Sequence, residues 1–275
     1  AMALYLEKLK LEESGKNPRN LASALINIGI VFSFQQEYAE ALRYYNKADK
    51  LIIEHKIDDL IPNINMNLGD TYDKINKNDS AKYFYTIVYE NAILIKNKYN
   101  EAFARIGLGN VNAKMNNEYN AIQNYNLAIP VLRDKKDFEF LSETYLGLAK
   151  VHNMFGNEKE AILNAQLALL EANKIKAMNK SYDAEVFLTQ FYKKMHQPDS
   201  AFKYLELSTA LNDSINNRNK IKNLQLLTIN EKLRQDELAA AKITAKKERV
   251  KQLQLLFITI FIPSLFLITL LLRRR

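Results

Sequence analysis

Alanine returns every 40 residues in this chain, at Ala41, Ala81, Ala121, Ala161 and Ala201. Four residues after each stand Tyr45, Tyr85, Tyr125, Ala165 and Leu205, and twelve before each stand Gly29, Gly69, Gly109, Ala149 and Thr189. A fixed period of tens of residues means a stack of like units, each touching only its neighbours. Within a unit, Leu25, Ile28, Gly29 and Phe32 lie at helical spacing. The polar Gln35-Gln36-Glu37 then breaks the pattern, and Tyr38, Ala41, Leu42, Tyr45, Ala48 and Ile52 form a second helical stripe. Two antiparallel helices joined by a short turn follow. Small residues are expected where the two helices approach closely. A glycine costs about 1 kcal/mol in a helix relative to alanine, so its return at 29, 69 and 109 has a packing reason. The turns recur as well: Asn76-Lys77-Asn78-Asp79, Asn116-Asn117-Glu118, Gly156-Asn157-Glu158 and His196-Gln197-Pro198-Asp199. Lysine at 16, 56, 96, 136 and 176 falls at the ends of second helices, where a cation suits the negative end of the helix dipole.

Several of these positions agree at once with the tetratricopeptide repeat, which the chain resembles over residues 1–215. The match runs through Leu25, Ile28, Gly29, Phe32, Ala41, Tyr45 and Ala48, then Leu68, Gly69, Tyr72, Ala81 and Tyr85. It continues in Leu108, Gly109, Ala121, Tyr125 and Ala128, and more weakly in Leu148, Ala149, Ala161 and Ala168, and in Leu188, Tyr192 and Ala201. The units are a 40-residue variety, at 18–57, 58–97, 98–137, 138–177 and a divergent 178–217. Residues 1–17 correspond to the second helix of a truncated repeat, so the chain is expected to begin inside a unit. The resemblance implies an all-α fold, a right-handed superhelix of helix pairs whose concave groove is lined by first helices and holds an extended peptide or protein segment. Carried over position by position, the groove residues are Asn27, Ile30, Asn67, Asp70, Asn110, Lys114, Lys150, Asn153, Gln190 and Lys194, with Ile26, Met66 and Ile106 beside them. An asparagine amide both gives and takes hydrogen bonds, which suits an extended backbone.

The net charge of +8 is unevenly placed. Residues 1–212 carry 26 basic and 26 acidic residues, whereas 213–275 carry 13 and 5. The main body is neutral, which argues against nucleic acid as the partner. Asn212-Asp213-Ser214-Ile215-Asn216-Asn217 gathers turn and cap formers where earlier units have their connecting loops. Residues 218–252 then read as one long charged helix. Leu226, Ile229, Leu233, Ala240, Ile243, Val250 and Phe257 trace an interrupted heptad seam, a possible homodimer contact. Residues 253–272 carry no charge, and 20 residues at about 1.5 Å each span the hydrocarbon core of a bilayer. The sequence therefore predicts one transmembrane helix there, followed by a basic flank at 273–275 that looks like a chain cut short. The order of repeats, an Asp213-Ser214 junction, a charged helix and a span resembles bacterial membrane-bound regulators, with their output module missing. That resemblance implies a single-pass protein of the inner membrane with its repeats in the periplasm.

No other chemistry stands out. There is no cysteine, which excludes disulfides and thiolate zinc sites. His55, His152 and His196 fall in different repeats with no metal-ligand spacing. Gly107-Leu108-Gly109 lacks the third glycine and the preceding strand of a dinucleotide site. No catalytic arrangement, cofactor or metal is expected. Two functions fit: a non-catalytic interaction module of a membrane-anchored signalling or sensor protein, or a tail-anchored cytoplasmic scaffold for a membrane complex.

Overall fold

The structure, a computed structural model, describes residues 17–273. In the last helix the side chains at 226–227, 229–230, 232–233, 236–237, 240, 258, 260, 262 and 264–271 lie outside the described set. The expectation of a truncated repeat in residues 1–17 also lies outside it, except for Asn17. That residue caps the first helix, its side chain accepting from the backbone N–H of Arg19 and Asn20.

Helix follows helix: α1 (Pro18–Phe34), α2 (Tyr38–His55), a 3₁₀ turn (Asp58–Leu60), α3 (Ile61–Lys74), α4 (Asn78–Leu94), α5 (Lys98–Lys114), α6 (Glu118–Asp134), α7 (Phe138–Met154), α8 (Glu158–Lys174), α9 (Met178–Lys194) and α10 (Pro198–Arg273). The period of 40 has a simple origin. From α4 to α9 every helix has 17 residues, and a three-residue turn follows each. The turns share one geometry. The middle residue is left-handed, with φ of 53–62° at Gln36, Lys56, Asn76, Lys96, Asn116, Lys136, Lys176 and His196, and 81° at Gly156. The next N–H reaches back five residues, as Ile57 to Ile52 at 3.0 Å, Lys77 to Tyr72 at 2.9 Å and Asn97 to Ala92 at 2.8 Å. This is the Schellman closure, which satisfies the last carbonyls of each helix. Lys56, Lys96, Lys136 and Lys176 are thus the left-handed residues of the turns between repeats. Side chains of Asn97, Asn117 and Asp137 then cap the following helices.

Alanine and glycine do different jobs in the stack. Ala41, Ala81, Ala121 and Ala161 are fully buried, consistent with close approach of two helices. The glycines make room for a ring. A methyl built on Gly69 would lie 2.7 Å from the Tyr85 ring, and one on Gly107, in the next repeat, 2.5 Å from the same ring. Tyr125 is held likewise between Gly109 and Gly147, at 2.7 and 2.8 Å. Real side chains cannot approach so closely, so each ring occupies space that two missing Cβ atoms leave. Repeat four lacks both partners: Ala165 replaces the tyrosine and Ala149 the glycine, and both are buried with Phe187 in one apolar cluster. Polar ties also run from unit to unit: Arg19 to Asp59 (2.6 Å), Asn157 to Glu118 (2.8 Å) and Lys180 to Glu143 (2.6 Å).

The chain divides into two compact units between Asn212 and Asp213. In the first, the start of α10 is the second helix of the fifth pair, with Tyr204 stacked on Tyr192 at 5.7 Å and Ser208 buried. The cap formers at 212–217 do not end a helix, since α10 runs through them. Asparagine and serine are weak helix formers, costing only tenths of a kcal/mol each.

The membrane expectation is corrected. Among the described residues no helix is long and apolar enough to cross a membrane. The uncharged run 253–272 is not an element of its own but the last part of α10. Its described side chains include Gln254, and Thr259, whose hydroxyl turns back onto the carbonyl of Leu255 at 2.9 Å. The predicted transmembrane helix, the bilayer partner, the single-pass inner-membrane location and the periplasmic placement of the repeats are therefore withdrawn. The tail-anchored alternative goes with them.

Candidate functional groove

The first helices turn one face into a groove of about 910 Å³. Its residues come at helical spacing: Asn63, Met66, Asn67, Asp70, Asp73 and Lys74 from α3, then Asn100, Phe103, Ile106, Gly107 and Asn110 from α5. Ile30 and Phe34 of α1 and Phe140 and Glu143 of α7 extend it to either side. Aromatic rings form part of the wall. Phe103 meets Phe140 edge to face at 4.4 Å and Tyr99 at 4.6 Å, and Phe34 is exposed. Such rings supply apolar area at little entropic cost, as protein-binding surfaces require.

The polar groups are oriented by the fold. Asn67 donates from its amide to the Asn63 carbonyl and side-chain oxygen, both at 2.8 Å. The buried tyrosines that wedge the repeats apart also reach the groove with their hydroxyls. Tyr85 donates to Asp70 Oδ1 at 2.7 Å and Tyr125 to Asn110 Oδ1 at 2.7 Å, fifteen residues back in each case. In repeat one that position is Ile30, which offers no acceptor. Burial pushes the hydroxyls of Tyr45, Tyr85 and Tyr125 well above the usual tyrosine range. They therefore act as donors throughout the working pH range. Asp70 is an exposed residue in the lining of the concavity. Desolvation first, then the charges of Glu143 and Asp73, push it up to about 6, against the Tyr85 bond and Lys74.

Of the residues assigned to the groove from sequence, Ile30, Asn67, Asp70 and Asn110 line it together with Met66 and Ile106. The others do not line this cavity. Lys114 is drawn to Asp73, donating to its backbone carbonyl at 2.7 Å and forming an ion pair with its carboxylate at 2.9 Å. Lys194 reaches Asn153 at 3.4 Å. Gln190 lines a separate, smaller depression with Tyr182 and Leu205. Asn27 is half-buried, and Lys150 is exposed where its charge is felt by Asp183. Sequence reading missed Asn63, Asn100, Phe103, Phe140 and Glu143. They lie in the first half of their helices, seven or ten residues before Asp70, Asn110 and Lys150. Running the helical stripe back from Asp70 through Asn67 to Asn63 would have found them.

Residues 22–52 match the tetratricopeptide repeat family. Curated protein sequences give no match. Among solved structures, BtubC (BKLC) from P. vanneervenii has a TM-score of 0.64 at 14% identity, over 78% of this chain and 91% of that one. A Rap protein in complex with Competence and Sporulation Factor gives 0.66 at 14% identity, over 74% of this chain and 57% of that one. Aspartyl phosphate phosphatase F from Bacillus subtilis gives 0.61 at 16% identity, over 75% and 55%. The chain thus spans little more than half the length of the last two, and at these identities the likeness is one of fold. Residues 22–52, within the first complete helix pair, thus match the tetratricopeptide repeat, and the stack of like pairs along the chain has the α-solenoid fold of these structures.

Proposed function

We propose that this chain is a non-catalytic binding module that takes an extended peptide, or an extended segment of a protein, in the groove of its first helices. The observation that supports it most is the lining itself. Aromatic and aliphatic side chains (Met66, Phe103, Ile106, Phe140) alternate with asparagines (Asn63, Asn67, Asn100, Asn110) along one continuous concavity. Apolar pockets would take side chains, and the amides would serve a backbone that has no strand partner. The Rap structure, a complex with Competence and Sporulation Factor, is a precedent for a fold of this kind holding a partner.

A photo-crosslinking residue placed at Asn63 of the full chain, in the groove, should capture members of a random dodecapeptide pool. The same residue at Lys82, exposed on α4, should not. Equal capture at both positions would refute the groove.

A second reading concerns the second unit. Ile243, Val250 and Phe257 recur every seven residues, and each is about half exposed. A row of this spacing suits pairing with the same helix of another copy.

A further inference from the structure

The carboxylates that line the groove are nearly all spoken for. Asp59 is bonded to Arg19 at 2.6 Å, Asp73 to Lys114 at 2.9 Å and Glu143 to Lys180 at 2.6 Å. Among the described residues Asp70 is the groove-lining carboxylate with no bonded cation; its one hydrogen-bond donor is the neutral Tyr85 hydroxyl. A carboxylate accepts at both oxygens, and one neutral donor leaves most of that capacity unused.

The surroundings favour a positive guest. The groups that face Asp70 are Asp73 and Lys74 on its own helix, Tyr85 from α4, Tyr45 from α2 and Glu143 from α7. Lys74, one turn on, bears on Asp70 through its charge without an ion pair. Two further carboxylates, Asp73 and Glu143, add negative potential at the same place. An accessible carboxylate with spare acceptor capacity and like charges beside it is best met by a cation that carries hydrogen-bond donors.

Asp70 also lies part-way along the groove. Ile30 and Phe34 of repeat one lie on one side, Phe103, Ile106 and Phe140 of repeats three and four on the other. A peptide seated here continues in both directions, so the guest is a side chain rather than a chain terminus. We infer that Asp70 seats the positively charged side chain of a lysine or arginine within the bound peptide, with an apolar residue beside it against Met66, Phe103 and Phe140. This rests on the groove being the peptide site.

The test uses dodecapeptides random at each position, acetylated and amidated so that neither end is charged, displayed on beads and offered to the full chain. Beads that bind the native protein should carry lysine or arginine at one position next to an apolar residue, enriched at least about fivefold. The Asp70→Asn chain should select no such position. Replacing the cation by norleucine in one selected peptide should raise Kd about tenfold or more for the native chain, the worth of a charge-assisted hydrogen bond, and less than about twofold for the variant. Selected peptides with no cationic position, or the same enrichment with Asp70→Asn, overturn the inference. Asn63→Trp, which fills the groove, separates the two ideas. If the selected peptides share no cationic position and it abolishes their binding, the groove reading stands and the role of Asp70 falls. If it leaves binding unchanged, or if no bead binds the native chain, both fall.

Discussion

Asp70 shows what a single residue contributes here and what it costs. Its folded carboxyl titrates near 6, above its ordinary 3.8. Between those values the native state holds a proton that the unfolded chain has released. Stability from this group is therefore greatest below about pH 4, and falls as pH rises through about 6. Asp70→Asn keeps an acceptor for Tyr85 and removes the charge. Its melting temperature should exceed that of the native chain at pH 7.5, and the gap should close by about pH 4, read by circular dichroism. Tyr85→Phe should act the other way. It removes a bond to a charged acceptor, lowering stability by about 1.5–3 kcal/mol at pH 7.5 in urea unfolding, and Asp70 should then titrate still higher. The turns offer a separate residue-scale prediction. Lys96 and Lys136 sit at φ of 56° and 55°, a conformation that costs an L-residue roughly 1–2 kcal/mol and glycine almost nothing. Lys96→Gly should raise the unfolding free energy by up to about 1 kcal/mol, read as a higher urea midpoint at an unchanged slope.

At the level of the helix pair, the glycine–tyrosine contact decides the fit. Gly69→Ala or Gly107→Ala drives a methyl into the Tyr85 ring and should cost about 1–3 kcal/mol, as overpacking does. The effect should shrink when Tyr85→Ala is added, because repeat four already pairs Ala149 with Ala165. A double-mutant cycle between Gly69 and Tyr85 by urea unfolding should give a coupling of at least about 1 kcal/mol. Additive effects would mean that glycine is there for another reason. Both members of this contact are visible in the sequence, at matched positions in repeats one to three and lost together in four. Their relation is not, because a one-dimensional pattern shows that a small residue is needed without showing what fills the space. The groove is legible to the same degree. Ile30, Asn67, Asp70 and Asn110 follow from the helical register. Lys114 does not, because its long side chain leaves its register position for the Asp73 carbonyl of the preceding repeat.

On the scale of the whole chain, the succession of helix pairs follows from periodicity, since each unit must present the same face to its neighbours. The second unit has no such internal check. Its apolar run at 253–272 has the length of a membrane span, but length and lack of charge count residues and do not define an element. In the structure that run belongs to a helix of 76 residues, and among the described residues no helix is long and apolar enough to cross a membrane. The row of Ile243, Val250 and Phe257 leads to a test on the intact chain. Sedimentation equilibrium should give a dimer at micromolar concentration, and Ile243→Glu with Val250→Glu a monomer. A monomeric native chain would exclude pairing through this row.

The tyrosine rings between the repeats work as shims. Tyr85 and Tyr125 each separate two first helices that expose no Cβ toward the ring. Ring thickness thus sets the step from one repeat to the next. At the fourth step the shim has changed sides, a methyl at Ala165 in the place of the ring and a phenyl at Phe187 in the next repeat. Neither residue lines the groove. The bend of the array is therefore adjustable at buried positions, and a lineage of such chains can re-cut the curve of its binding face while leaving every residue on that face as it was.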